Sequence, residues 1–190
     1  MGSTIGPGTV IDSRNLESTS GDTVRLPDPQ RLTHLQFRRF AGCPICNTHL
    51  QSIVARHDEI VAAGIREVVV FHSTPEELAK HVTGLPFAVV GDPGKVLYAE
   101  FGVESSPRAL LDPRGMAPVI GPMIRSVPAI LRKTTPPPPG RVTGGHSGLP
   151  ADFLIGPDGR VIASKHGKHA YDQWSVDELL AQVPSTGRSR

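Results

Sequence analysis

The run "IREVVVFHS" at residues 65–73, followed at once by "TPEELAKHVTG", limits the fold more than any other feature of the chain. The first piece is a short β-branched stretch without polar alternation, as expected of a strand buried on both faces. The second opens with Thr74 as a cap, Pro75 at the first helical position and Glu77 at the spacing of a capping box. A strand of that kind joined to a capped helix belongs in a parallel sheet covered by helices.

The flanking segments extend this pattern. "RLTHLQFRRF" is expected to be a strand, although Leu32, Leu35, Phe37 and Phe40 are mixed with polar residues in no clean period of two. From Pro44 onward, Cys46, Leu50, Ile53, Val54 and Val61 recur at intervals of three and four, which predicts one amphipathic helix that Gly64 stops. "LPFAVVGDPG" reads as another short strand with a turn, and "KVLYAEFG" as one or two helical turns ending at Gly102. Late in the chain, "LPADFLIGPDGRVIASKHG" is a β-hairpin turned at Gly-Pro-Asp-Gly. A last helix follows, with Ser175 and Glu178 at capping-box spacing and Val176, Leu179 and Leu180 on its apolar face. Residues 1–31, rich in Gly, Ser, Thr and Asp, supply a small hairpin at the start.

At 190 residues the chain is long for the smallest α/β folds, so one domain with an insertion and a tail is expected. Its core falls at about residues 31–104 and 146–183, with an insertion at 105–145 and a frayed tail at 184–190. Nine of the 19 prolines lie in that insertion, which excludes a long regular element there. The insertion also holds six Lys/Arg against one acid, Asp112, while the whole chain is only +2. Such a segment is either a solvated excursion or a face for an anionic partner, and its charges form no contiguous block that would argue for nucleic acid. No apolar run approaches the roughly 20 residues of a membrane span. The beginning has neither a basic nor an apolar leader region, so a cytoplasmic location is expected.

Both cysteines lie in "AGCPICNTHL", where the strand gives way to the helix. Three readings compete for a Cys-x-x-Cys pair: a redox couple, half of a zinc site, and two small core residues. Zinc needs two further ligands, and His166 and His169 are separated by two residues rather than by the three to five of common sites. A core role is opposed by Pro44 and by the junction itself. For the redox reading, Cys43 at the helix mouth meets unpaired amides and the positive end of the dipole, so its pKa is expected below that of a free thiol. Cys43 then attacks and Cys46, one turn on, resolves. Arg38 or Arg39 would add a fixed cation, of which strand alternation turns only one toward the sulfur; the alternative is that either simply salt-bridges at the surface. His49, one turn beyond Cys46, is a candidate proton carrier, and His57 is a polar-face residue. "GDPG" and "TGGHSG" lack the setting of a phosphate loop and read as turns.

The stretch "FRRFAGCPIC", the helix after it and "LPADFLIGPDGRVI" resemble the thioredoxin superfamily, and more narrowly the peroxiredoxin-like branch of the alkyl hydroperoxide reductase and thiol-specific antioxidant family, over roughly residues 20–183. The resemblance implies a thioredoxin-like α/β fold, a central mixed sheet flanked by helices, carrying the N-terminal hairpin and the Pro-rich insertion. It implies Cys43, Cys46 and Arg39 as catalytic residues, Arg39 matching the Phe-x-Arg stretch that precedes the family's Cys-Pro-x-Cys site. Pro44, Leu149 and Pro150 are implied at the substrate groove, with Pro150 at the position of the superfamily's cis-proline. One departure stands out. Where peroxiredoxins carry a hydroxyl residue three before the attacking cysteine, and a proline four before that, this chain has Phe40 and Gln36.

The expected function is therefore a thiol oxidoreductase that reduces disulfides or hydroperoxides in redox homeostasis. Its reductant is a protein or small thiol of the thioredoxin or glutathione type, with no bound cofactor and no metal. The apolar, proline-broken part of the insertion could cover the active site, form a homodimer surface, or move on oxidation. The rival expectation is a non-catalytic binding module whose thioredoxin-like groove holds a protein or peptide and whose thiols sense redox state.

Overall fold

A computed structural model describes residues 5–103, 145 and 148–184. The hairpin is present as β1 (Arg14–Glu17) and β2 (Thr23–Leu26), an antiparallel pair. The main sheet contains β3 (Leu32–Arg38), β4 (Ile65–Phe71), β5 (Ala88–Gly91), β6 (Ala151–Ile155) and β7 (Val161–His166) in the order β5-β4-β3-β6-β7. β3, β4 and β5 are parallel, whereas β6 and β7 run antiparallel, giving the mixed sheet anticipated from the sequence. The insertion, apart from Gly145, lies outside the described residues.

Alternation along the strands divides the core. Leu35, Phe37, Val68, Val70, Ala151 and Phe153 face the hairpin and α4 (Val96–Glu100), where Phe37, Tyr98, Phe101 and Phe153 meet with ring centroids 4.9–5.8 Å apart. On the opposite face, Val69, Phe71 and Leu154 lie under α1 (Pro44–Ala55), α2 (His57–Ala62), α3 (Pro75–His81) and α5 (Val176–Ala181). The helices that start at Thr74 and Ser175 have both halves of their capping boxes.

One boundary differs from the sequence reading. The helix expected to run unbroken to Gly64 is interrupted at Arg56, whose φ of −122° leaves the helical range. Its guanidinium binds Glu59 at 2.7 Å and reaches 2.7 Å to Asp177 at the start of α5, a tie between distant segments.

Candidate active site

The loop from β3 into α1 is a tight turn. The Cys43 N–H donates to the Phe40 carbonyl at 3.1 Å, and Gly42 has φ +78°, which glycine adopts without strain. The Ala41 N–H donates to the Ser73 hydroxyl at 2.9 Å and the His72 N–H to the Arg39 carbonyl at 3.2 Å, fixing the turn to the end of β4. Cys43 is the N-cap of α1, with Pro44 half-buried at the first helical position, as the sequence indicates. Its Sγ accepts the Cys46 N–H at 3.5 Å and an Arg39 Nη1–H at 3.7 Å, while the Arg39 guanidinium also lies 5.2 Å from the Phe40 ring centroid. Both cysteines are free thiols.

The acidity of the pair departs from expectation. Cys43 and Cys46 are only 2% and 1% exposed, enclosed with Phe40, Ile45, Leu50, Phe71 and Ala170. Burial first, and then the adjacent Cys46 sulfur, push the Cys43 thiol well up, against the pull of Arg39 and the Cys46 amide. Burial also opposes ionisation of Cys46. There, however, the hydrogen bond from Cys43, a backbone bond from Arg39 and the charges of Arg39 and Arg38 prevail and hold it at about 7. The helix-mouth position of Cys43 is as expected from the sequence, but the lowered pKa expected with it is overturned, because desolvation outweighs the amides. Ionisation of the pair therefore begins at Cys46, near neutrality, while Cys43 keeps its proton to higher pH.

Arg39 is the arginine that reaches Cys43. Arg38 is not at the surface, contrary to one alternative for it, and is fully buried. It donates to Asp152 Oδ1 at 2.7 Å and Gln36 Oε1 at 2.6 Å. His34 lies between Asp152, 3.2 Å from Nε2, and Glu67, 2.8 Å from Nδ1, and Gln36 Nε2 donates to Glu67 as well. These side chains form a polar stripe beneath α1, every member at most 1% exposed. Sequence reasoning missed His34, Glu67 and Asp152 as site residues. The available signal was His34-x-Gln36-x-Arg38, three polar residues at every second position of a core strand.

The remaining candidates separate. Leu149 and Pro150 are buried, and the chain before β6 approaches the turn so closely that a Cβ on Gly148 would stand 3.7 Å from the Arg39 Cα and 2.8 Å from His72 Nε2. The bond to Pro150 is trans; the cis peptide among the described residues is Leu26–Pro27. Pro150 already serves as the last rung of the β6–β7 hairpin, its carbonyl accepting the Gly167 N–H at 2.9 Å. His49 is buried, and desolvation followed by the charge of Arg38 pushes its pKa down to about 3, so it carries no proton as a cation near neutrality. His57 lines a cavity of about 420 Å³ at the other end of the parallel strands, whose wall includes Ser18, Asp22, Arg66, Glu67 and Phe87. No group of three or more His, Cys, Asp or Glu converges on a metal-sized site among the described residues, and none of the described helices is long and apolar enough to cross a membrane.

Comparison with solved structures yields the same architecture. The peroxidoxin BcpB from Mycobacterium tuberculosis superposes with a TM-score of 0.65 at 16% identity, covering 94% of this chain and 96% of that one. Peroxiredoxin 6 of Arenicola marina gives 0.61 at 16% identity, covering 93% and 70%. A protein assigned as the thiol:disulfide interchange protein DsbE, from Chlorobium tepidum, gives 0.58 at 18% identity, covering 95% and 100%. At such identities the likeness is one of fold. No curated protein matches the sequence. The profile of the AhpC/TSA antioxidant enzymes matches residues 52–169, more than half of the chain, beginning after the two cysteines. With a thioredoxin-like sheet, a capping Cys-x-x-Cys at its first helix and that match across α1 to β7, the chain belongs to the AhpC/TSA antioxidant enzyme family, a family of redox proteins.

Proposed function

We propose that this protein is a peroxiredoxin-like thiol–disulfide oxidoreductase that acts in the cytoplasm through the Cys43–Cys46 dithiol. The observation that carries the reading is the placement of Cys43 Sγ as acceptor of both the Cys46 amide and Arg39, with Cys46 sharing its proton. Passing that proton from Cys43 to Cys46 leaves a Cys43 thiolate held by two donors. This thiolate attacks one sulfur of a substrate disulfide, whose S–S bond breaks and releases a thiolate. Cys46, deprotonated in turn, attacks Cys43 Sγ, expels the second half of the substrate and closes the protein disulfide. An external thiol of the thioredoxin or glutathione type returns two electrons and two protons. Disulfide is the favoured acceptor over peroxide, because Phe40 brings an apolar ring where a peroxide-orienting hydroxyl would be needed.

Rapid mixing of reduced protein with a model disulfide and, separately, with hydrogen peroxide tests this reading. Trp174 serves as the reporter, its ring 5.8 Å from His34 on the polar stripe. A disulfide reaction faster than that of free cysteine supports it. A peroxide reaction alone exceeding free cysteine makes the protein a peroxidase instead. Burial of both sulfurs favours a second reading, a binding module with redox-sensing thiols. Rates no better than free cysteine with either oxidant select it.

Arg39 is proposed as the residue that holds the Cys43 thiolate. Arg39→Met keeps the aliphatic stem but removes the donor and the charge, so thiol alkylation near neutral pH is expected to slow about tenfold, equivalent to one pKa unit. Arg39→Lys should restore part of the rate. An unchanged alkylation pH profile in Arg39→Met contradicts this role.

A further inference from the structure

The stripe beneath α1 alternates in charge along its length. From the cysteines inward it runs Arg38, Asp152, His34, Glu67, each joined to the next by a hydrogen bond of 2.7, 3.2 and 2.8 Å. Its upper end lies under the dithiol: Arg38 pairs in register with Phe71, which packs in the same cluster as Cys46. Its lower end is Glu67, itself buried, which contributes to the wall of the cavity of about 420 Å³ at the opposite end of the strands.

We propose that this chain of buried charges links the dithiol to His34, so that a thiolate at Cys46 and a proton on His34 favour one another and closure of the disulfide loosens that proton. The inference rests on the dithiol–disulfide cycle proposed above. The charge of Arg38, which is hydrogen-bonded to Asp152, also favours the thiolate of Cys46 from within the same buried region. While the thiolate is present it draws on the guanidinium, and more of the Asp152 charge remains for His34. When the thiolate is consumed, the Arg38 charge is offset by Asp152 alone among the anions of the stripe's upper end, and His34 loses part of its counter-charge. Because every member of the stripe is buried, such shifts act through a low dielectric and are felt at its far end. His34 is the member able to respond, because a guanidinium does not give up its proton.

The surroundings of His34 agree with this role. Glu67 from β4 and Asp152 from β6 hold its two nitrogens, Gln36 and Arg38 flank it on β3, and the Trp174 ring covers it at 5.8 Å. Above it, His49 of α1 is neutral; Lys165 of β7 is engaged by Asp172 at 3.1 Å and Glu178 at 3.6 Å. Burial pulls the His34 pKa down, but the charge of Glu67 and the bond to Asp152 raise it to about 9, so it is a cation in the dithiol form. A dithiol with one S–H and one S⁻ reacts with a substrate disulfide to give the protein disulfide and two substrate thiols, a product set that needs two protons. One comes from the protein S–H. The other is taken up from solvent by the product thiolate, and when the pH lies between the His34 midpoints of the two forms His34 releases one proton in compensation, so net uptake there is reduced.

NMR titration of the His34 ring in the wild-type protein, reduced and with the Cys43–Cys46 disulfide formed, tests the link directly. The proton affinity of His34 is expected to fall about two- to tenfold on oxidation, as reciprocal coupling requires. Equal midpoints, or a higher one in the disulfide form, overturn the inference and leave the proposed function standing. Inability to form the disulfide at all overturns both. Variants read the same link from the other side. Asp152→Asn frees Arg38 for the thiolate and should speed alkylation at about pH 6 several-fold, whereas His34→Gln turns Asp152 back onto Arg38 and should slow it. A stripe that only supported the fold would leave both alkylation profiles at the wild-type midpoint, and that result contradicts the link even where the NMR titration is obscured. If either variant fails to fold, the wild-type titration decides alone.

Discussion

Replacing Asp152 with alanine is expected to destabilise the protein by about 3–5 kcal/mol, the range seen when one partner of a buried ion pair is removed. Asp152 is fully buried and accepts from Arg38 at 2.7 Å, from His34 at 3.2 Å and from the Trp174 amide at 3.1 Å. Its loss leaves a buried guanidinium and a buried imidazolium facing a gap without a counter-charge. The same residue shapes the acid limb of stability. Burial raises its pKa, but the charge of Arg38 and the bond to His34 outweigh that and hold the carboxyl below the usual carboxylate range. With a folded pKa lower than the unfolded one, its contribution is fully present above about pH 4 and is lost as the pH falls toward the folded value. Chemical denaturation of wild type and Asp152→Ala from about pH 7 downward should therefore give curves that converge in acid. A loss below about 1 kcal/mol at neutral pH would mean that the stripe is hydrated.

Cys43→Ser is expected to abolish disulfide exchange, with a fall on the order of 10³-fold or more, as when a catalytic nucleophile is removed. Cys46→Ser should behave differently. The adjacent Cys46 sulfur is, after burial, the largest influence raising the Cys43 pKa, so its replacement lowers the Cys43 midpoint from its wild-type position. The variant is expected to react once and stop as a mixed disulfide, visible by mass as a covalent substrate adduct on Cys43. If Cys46→Ser turns over normally while Cys43→Ser forms the adduct, the two roles are exchanged, in line with the lower pKa of Cys46 in the resting geometry.

The residues that were legible in the sequence are those whose structure is set locally. Thr74-Pro75-Glu77 and Ser175-Glu178 start helices because a capping box is made within four residues. The N-cap position of Cys43 could be read for the same reason, as a turn ending at Pro44. What lay hidden depends on partners far along the chain. The alternation on β3 looked irregular because both of its faces are buried, one against Tyr98 and Phe101, the other under α1, so His34, Gln36 and Arg38 resembled solvent-facing residues. Their partners Glu67 and Asp152 follow His34 by 33 and 118 residues. The break at Arg56 likewise waits on Asp177, 121 residues later. Enclosure of Cys43 is of this kind too: Phe71 and Ala170, which help to exclude water from it, come from β4 and from the loop after β7. A lowered pKa follows from the helix mouth alone, and a raised one once those residues are in place.

Central to the proposed chemistry is a buried dithiol that gives up one proton near neutrality. Ultraviolet absorbance of the thiolate, followed against pH in the reduced protein with Cys43→Ser and Cys46→Ser as references, measures this directly. One of the two thiols should ionise near pH 7, and the other should keep its proton well beyond the free-thiol range. Two thiols titrating together at about 8.5, the ordinary value for cysteine, would contradict it.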